Sequence, residues 1–405
     1  MKEFNKLWAG QTVSLLGSAI TMFALPTLAV LSLHASAVQI GALSALETLP
    51  FPLFGMFAGV LADRWSRRKI MIAADVVRFL TLGTIPLLVV SRRLDMTALY
   101  AIAAVTGSAS VFFAISYQAY APVIVRSDRL NEANQRLEFS NSGSAMAGNA
   151  LAGLLVQWIG AATAITIDAA SYLVSVVSLA RIRAPEAAHD GPPLSLLQIG
   201  REMLDGMKIV LDSPDLRFIV GATGTSNFGA GMNSAVSLLF AYRVLHLAPG
   251  ALGIVFGIAQ LGFVGALLST RVRVRLGLRA TLLMMMLISS FGEAIVLLAQ
   301  LGLPLVVVFA STAIVAISVS IYNVNQVSYR QALVDVRKQG RLNATVRTFV
   351  WGTLPLGAIA GGVLGSRFGP QMTIAISATL GVAAALWFLP FRERALPVPT
   401  EADAS

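Results

Sequence analysis

The chain has no cysteine among its 405 residues, which excludes disulfides, thiolate metal sites and cysteine nucleophiles. Histidine is nearly as scarce. His34, His189 and His246 fall in segments that read as loops, none is paired at metal-ligand spacing, and no metal site is expected. Charged residues make up 12%, about half of the ~25% usual in a soluble domain. No G-x-x-x-x-G-K-[S/T] run is present to cradle a phosphate, and no soluble stretch is long enough to bind a nucleotide. No cofactor is therefore expected, and ATP is disfavoured as an energy source. An enzyme is disfavoured too, because no nucleophile–base pair stands at workable spacing.

Apolar residues fill the gap. They form 56% of the chain, and the mean hydropathy is +0.75. The net charge of +10 is not the footprint of a nucleic-acid partner, because the cations sit in short loops between apolar runs rather than in a basic domain. At about 20 apolar residues per membrane crossing, twelve spans are predicted: 8–33, 38–62, 70–90, 96–121, 131–158, 162–181, 215–243, 249–270, 279–300, 303–329, 341–366 and 370–390. The first follows Lys2 and Lys6 and runs past twenty residues without a small-residue cleavage site, so it reads as a retained span rather than a signal peptide. Helices are required, since an open sheet in lipid leaves backbone groups unpaired.

The sharpest local signal is GVLADRWSRRK, residues 59–69. Asp63, Arg64, Arg67, Arg68 and Lys69 cannot be solvated by hydrocarbon, so this short turn must lie at a membrane surface. Placing it inside the cell puts both termini inside. Arg92, Arg93, Arg243 and Arg367 are then external, Arg78, Arg136 and Arg347 lie within spans, and the remaining 23 of 30 Lys and Arg are cytoplasmic. That is the bias of an inner-membrane protein with cytoplasmic ends.

The halves repeat. RLN at 129–131 recurs at 341–343, and AGNALAGLL at 147–155 aligns with LGAIAGGVL at 356–364. GALLSTRVRVR at 265–275 reads as a worn copy of the charged turn that keeps the glycine and cations but loses the acid. A parallel repeat of about two hundred residues describes two six-helix bundles facing a central site. The expected units are 1–181, a linker at 182–214, a second bundle at 215–391 and a cytoplasmic tail at 392–405. The linker opens as RAPEAAHDGPP and continues as an amphipathic helix. Leu196, Ile199, Met203, Met207 and Val210 lie on one face, with Arg201, Asp205, Lys208 and Asp212 on another.

Twelve spans, the repeat and the turn together resemble the major facilitator superfamily. Its loop motif is matched by Gly59, Leu61, Asp63, Arg64, Arg67 and Arg68, with Ser66 where many members have a second glycine. DRWSRRK, LNEAN at 130–134 and TIDAASYL in span six are similar to the branch holding the enterobactin exporter and macrolide-efflux proteins. The resemblance implies an all-helical membrane transporter with no cofactor, working in the lipid bilayer as a monomer by alternating access. It also implies a gating contact, in which Asp63 meets the amino end of span eleven near Arg341 to Arg347. A carboxylate is favoured at a helix amino terminus, although these charges also set topology. The glycine-proline-x-x-glycine-glycine run of the family's drug–proton antiporters is damaged here to Gly148, Asn149, Ala150, Leu151, Ala152 and Gly153. Its small residues still allow close helix packing.

Ionisable groups within spans are functional candidates because burial is costly. Glu47, nine residues into span two, is the first proton-coupling candidate, followed by Glu293 and Asp168. Desolvation favours the neutral form of a buried carboxylate and so suits it to proton exchange. Glu47 reads equally as a glutamate hydrogen-bonded between helices. Asp75 and Arg78, one turn apart, read as a structural charge pair, and Glu138 and Arg347 as interface charges in equivalent repeat positions. The resemblance places substrate among spans one, four, seven and ten. Their polar or aromatic stripes are Gln11, Ser14, Ser18 and Thr21; Thr106, Ser110, Phe113 and Tyr117; Asn227, Asn233 and Ser237; and Ser311, Ser318, Tyr322 and Asn325. Such stripes suit an amphipathic organic molecule better than an ion, and interhelical hydrogen bonding is their alternative reading. Proton-coupled efflux of amphipathic compounds is the expected function. A dedicated exporter of one endogenous metabolite such as a siderophore, a lipid mover, and a transport-inactive sensor or scaffold remain the alternatives.

Overall fold

The computed structural model describes residues 1–126, 129–183, 186, 196–258, 260–334 and 336–391. All regular structure among them is helical. In the first half α1 (Lys2–Leu31), α4 (Arg67–Val90), α5 (Met96–Ile124), α6 (Leu130–Ile159) and α7 (Ala161–Ala180) each form one span, and α2 (Ala37–Thr48) with α3 (Pro50–Arg64) form span two. In the second half span seven is α9 (Pro214–Ser234) continued by a short α10 (Ser237–Leu239) and a π-helical turn at Phe240–Val244. Span eight is α11 (Pro249–Ile258) plus α12 (Gly262–Leu276), span nine is α13 (Leu278–Ile295), and span ten is α14 (Pro304–Leu333). The last stretch, α15 (Val336–Leu386), supplies spans eleven and twelve, divided at Gly369. Gly369 has φ 80° and ψ 166°, and Gly160, 209 residues earlier, turns the chain at φ 82° and ψ 156°. Both corners use left-handed backbone that a side chain would strain.

Nine of the described helical runs are long and apolar enough to span a membrane by composition alone. Leu342–Leu386 counts once in that tally for two spans. The two spans that fall short are α6, diluted by Asn, Glu and Ser, and α9, diluted by Gly, Ser, Thr and Asn. In α6 only Ser140 and Ser144 of these polar residues are buried, while Asn131, Asn134, Glu138, Asn141 and Ser142 are exposed; in α9 Asn227 and Asn233 are half-buried. Large apolar side chains such as Leu87, Val90, Trp158 and Leu301 stay exposed and face the surrounding hydrocarbon.

Local capping sets several helix starts. Ser36 and Gln39 form a reciprocal capping box on α2, Asp95 accepts from Ala98 N at 2.8 Å ahead of α5, and Ser66 accepts from Lys69 N at 3.3 Å ahead of α4. Pro50 and Pro52 lack the N–H groups that would complete the ladder through span two, so α2 passes into α3 near Glu47 with two hydrogen bonds missing while Leu49 keeps helical dihedrals.

The parallel repeat is built into the contacts. Arg68 donates to the carbonyls of Leu179 and Ala180 at the end of α7, at 2.7 and 2.6 Å, and Arg279 donates to those of Phe388 and Leu389 at the end of span twelve. This contact makes Arg279, which lies outside the run at 265–275, the structural counterpart of Arg68. An added Cβ at Gly148 would strike Ala19 and Leu16 of α1, and one at Gly357 would strike Phe228 of α9. Each pair is displaced by 209 residues.

Among the described residues the halves join through an apolar layer at one end, and Phe51 of α3 reaches Trp351 and Arg347 of α15 farther along the crossing. The apolar layer is a single cluster that contains Leu25 and Leu28 of α1, Leu43 of α2, Val156 of α6, Phe240 and Tyr242 of span seven, Val255 of α11 and Ile374 of span twelve. Thr27 and Tyr242 share a hydrogen bond across it at 3.1 Å, and Arg243 donates to Ala35 O at 2.8 Å. Gly41 lies against Gly362, and Gly153 against Gly253, with no room for a side chain at either crossing. At the opposite end, which carries residues 63–69, each half has its own clusters, such as Leu7 with Tyr120 in the first and Ile219 with Tyr329 in the second. The molecule is closed at one end and parted at the other.

Of the linker, residues 184, 185 and 187–195, including His189, lie outside the described residues, as do residues 392–405 of the tail. The rest of the linker contains α8 (Leu196–Asp212), whose Val210 packs with Leu216, Leu342 and Val346 while Arg201, Asp205 and Lys208 are exposed. The side chains of Leu196, Ile199 and Met203 fall outside what is described.

Candidate functional site

The charged turn is anchored to its own half. Arg67 donates to the Ala62 and Ala119 carbonyls at 3.1 and 3.3 Å, and Arg68 holds the end of α7. Glu186, which sequence reasoning left in a featureless loop, accepts from Ser66 Oγ at 2.8 Å and from the backbone N–H groups of Arg67 and Arg68 at 2.7 and 3.1 Å. It thereby caps the amino terminus of α4. Ser66 caps α4 and binds Glu186, contacts that a glycine at this position would not make. Asp63 is 63% exposed and meets only Arg67, at 3.7 Å, among the described residues. An added Cβ at Gly59 would touch nothing. The side chain of Arg341 is outside the described residues, and Arg347 lies over the rings of Phe51 and Trp351, at 4.0 and 5.0 Å.

Inside the first half the structure gathers a cluster that the sequence had split among separate roles. Asp75 and Arg78 of α4 are paired and buried. The Arg78 guanidinium lies between Phe113 of α5, at 4.3 Å, and Tyr172 of α7, at 4.4 Å. Asp168 of α7, fully buried, accepts from Ser171 at 3.1 Å and Tyr172 at 3.3 Å, and Tyr172 shares a 3.0 Å hydrogen bond with Ser18 of α1. Gly17 permits this, since an added Cβ would strike Asp168 and Ser171. Tyr117 stacks on Phe113 with centroids 6.0 Å apart. Gln11 and Ser14 are also buried. Ser18, Phe113 and Tyr117 of those stripes therefore face the interior of their own bundle, around Arg78, while Ser110, among the described residues, bonds only the Thr106 carbonyl of its own helix.

The stripes of spans seven and ten meet a hollow instead. A cavity of about 390 Å³ is lined by Asn227, Asn233, Ser237, Ser311, Tyr322 and Glu293, among others. Asn227 donates to Val350 O at 2.9 Å, and Tyr322 shares a 2.7 Å hydrogen bond with Thr223. Asn325 is buried and donates to Ile321 O at 2.8 Å, apart from the cavity. Thr223 and Asn227 also border a second space of about 600 Å³ reaching Arg330 and Arg347 toward the parted end. Glu293 accepts from Ser377 at 2.6 Å.

Glu47 sits on α2 near Pro50 and Pro52, one turn before Phe51, whose ring lies 5.0 Å from that of Trp351 of α15. It makes no hydrogen bond or ion pair among the described residues. Glu138 accepts from Ser142 at 3.4 Å. Among the described residues no three His, Asp or Glu side chains gather at metal-binding spacing.

A family profile described as Major Facilitator Superfamily matches residues 7–350. The chain belongs to that superfamily. It is a multi-pass membrane transporter of small molecules, not an enzyme. This major facilitator is 25% identical over 390 residues to macrolide efflux protein A of Streptococcus pyogenes, covering 95% of this chain and 94% of that one. It is 25% identical over 390 residues to the multidrug efflux pump Tap of Mycolicibacterium fortuitum, covering 92% of both. In fold it is similar to the nucleoside transporter NupG, with a TM-score of 0.77 at 14% identity, covering 96% of this chain and 99% of that one. A bacterial homologue of the iron transporter ferroportin in an inward-facing state gives a TM-score of 0.76 at 16% identity, covering 96% and 98%. These two share the twelve-helix architecture.

Proposed function

We propose that this transporter exports amphipathic organic compounds by alternating access, driven by the proton gradient across the cytoplasmic membrane. The observation carrying this reading is a mostly apolar hollow with polar groups set into its wall, open toward one end, while the apolar cluster shuts the other. Full-length similarity to two efflux proteins supports outward movement of drug-like molecules. The end with residues 63–69 is cytoplasmic by the Lys and Arg bias, so both termini lie inside and the cavity opens to the cytoplasm. Residues 1–181 and 215–391 act as two rocking bodies joined by 182–214, with 392–405 as a tail, and one chain suffices for transport. Everted membrane vesicles given a chemically diverse panel test this directly. Gradient-dependent uptake of several amphipaths is expected, and uptake of none would overturn it.

Glu47 is the proposed coupling group, because it is a mid-span carboxylate with no partner among the described residues, one turn from the contact of Phe51 with Trp351 of the other half. Glu47→Gln should abolish uphill transport in proteoliposomes while substrate binding persists. Undiminished accumulation against a gradient would remove Glu47 from the role.

Asp63 is the proposed gate residue, released here and docked on the start of span eleven when the cytoplasmic side shuts. Asp63→Asn should leave expression unchanged and slow turnover roughly two- to fivefold, the size of a 0.3–1 kcal/mol helix-terminus interaction. Wild-type turnover would leave the carboxylate with a topological role alone.

A further inference from the structure

The two halves build the same frame and fill it differently. Arg78 and Asp75 of α4 correspond to Ser289 and Met286 of α13, with the 211-residue displacement that relates Arg68 to Arg279. Phe113, Asp168 and Tyr172 correspond to Tyr322, Ser377 and Gly381, with the 209-residue displacement of the glycine contacts. In the first half these positions hold a guanidinium between two rings, paired with a carboxylate. In the second, all five counterparts line the 390 Å³ cavity. An arginine side chain has become a serine hydroxyl, and a tyrosine ring has become a hydrogen atom. The space they would occupy is the cavity.

A carboxylate nevertheless remains. Glu293, one turn beyond Ser289, lines this space, with one oxygen bonded by Ser377 and no cation beside it among the described residues. Phe240, Phe256 and Tyr322 add aromatic walls. The other ionisable groups toward it are the Tyr322 hydroxyl, already bonded to Thr223, and Arg330 at the second space. A partly buried carboxylate without a counter-charge is costly, and the first half meets that cost with Arg78. One carboxylate among rings is a poor site for a hard metal ion, which takes six to eight oxygens. It suits a large, weakly hydrated cation.

We propose that this cavity binds an organic monocation, a protonated amine or quaternary ammonium with apolar substituents, in the place that Arg78 fills in the other half. Its charge is set against Glu293 and its bulk against Phe240, Phe256 and Tyr322. The volume lies within the range of small-molecule sites, about 300–1,000 Å³. The proposal deepens the export reading by naming a substrate class, and it rests on that reading for its place in transport.

Ethidium, a permanent cation, and dihydroethidium, its nearly isosteric uncharged form kept under argon, are the probes. Equilibrium binding to the purified full-length protein should favour ethidium. Glu293→Gln should weaken ethidium at least about tenfold and leave dihydroethidium within about twofold. Ser289→Arg, which would supply the guanidinium internally, should exclude ethidium as well, with thermal unfolding confirming that both variants are folded. No preference for ethidium in the wild type, or equal effects of Glu293→Gln on both probes, would overturn the site. Everted vesicles separate the two ideas. If no panel compound moves, export falls and the binding result still decides the site; if uncharged compounds move and ethidium shows no Glu293 dependence, the site alone falls.

Discussion

Arg78→Ala should be the most damaging single truncation in the first bundle, destabilising it by about 3–5 kcal/mol. Arg78 is 5% exposed; it pairs with Asp75 of its own helix and reaches Phe113 of α5 and Tyr172 of α7. Removing it leaves Asp75, 0% exposed, without its counter-ion, and a void between two rings. Asp168, also 0% exposed and bonded to Tyr172, loses the nearest positive charge. Thermal unfolding in detergent should show the loss, with reduced accumulation in the membrane. The double variant Asp75→Asn with Arg78→Met should recover a large part, because it removes the stranded charge and refills the space. Wild-type stability of Arg78→Ala, or no recovery in the double variant, would rule out the charge balance as the cause.

Gly362→Leu should cut transport by about fivefold to a hundredfold while the protein stays folded. At the closed end Gly362 faces Ala37, Val38 and Gly41 backbone to backbone, and a Cβ there would strike the Ala37 carbonyl. Overpacking typically costs about 1–3 kcal/mol, and each 1.4 kcal/mol moves a two-state equilibrium about tenfold. The clash exists only while the halves touch, so the penalty falls on this conformer and favours the one opened at this end. The absence of native cysteine makes the readout clean. Thr27→Cys places a thiol at the buried contact with Tyr242, and maleimide labelling there should rise sharply when Gly362→Leu is added. Unchanged labelling with unchanged transport would show that the contact does not set the equilibrium.

These two effects mark the border of what the sequence made legible. The GVLADRWSRRK turn, the Lys and Arg bias and the displaced repeats were enough to place spans and relate halves. Membrane insertion is governed by local hydropathy and charge, which a single pass along the chain can sum. The damaged Gly148–Gly153 run also pointed to close packing, and Gly148 and Gly153 are the points of approach to α1 and α11.

Glu186 was not legible, because it caps a helix 119 residues away in sequence from Arg67, and a capping carboxylate far along the chain has no local pattern. The substrate stripes were legible only as faces. Ser18 and Phe113 occupy the repeat positions of Asn227 and Tyr322, a polar residue and a ring in each half. Yet the first pair surrounds a built-in cation, and the second lines a cavity.

The sequence by itself therefore determined the class of molecule, its twelve crossings and its duplicated plan, since each of these follows from composition and period. Only the tertiary structure decided which end is closed and which half is hollow. Those outcomes depend on pairs brought together across helices: Tyr172 against Arg78 in one bundle, and Gly381 beside Ser289 in the other. The volume of one side chain there separates a filled core from a candidate binding site.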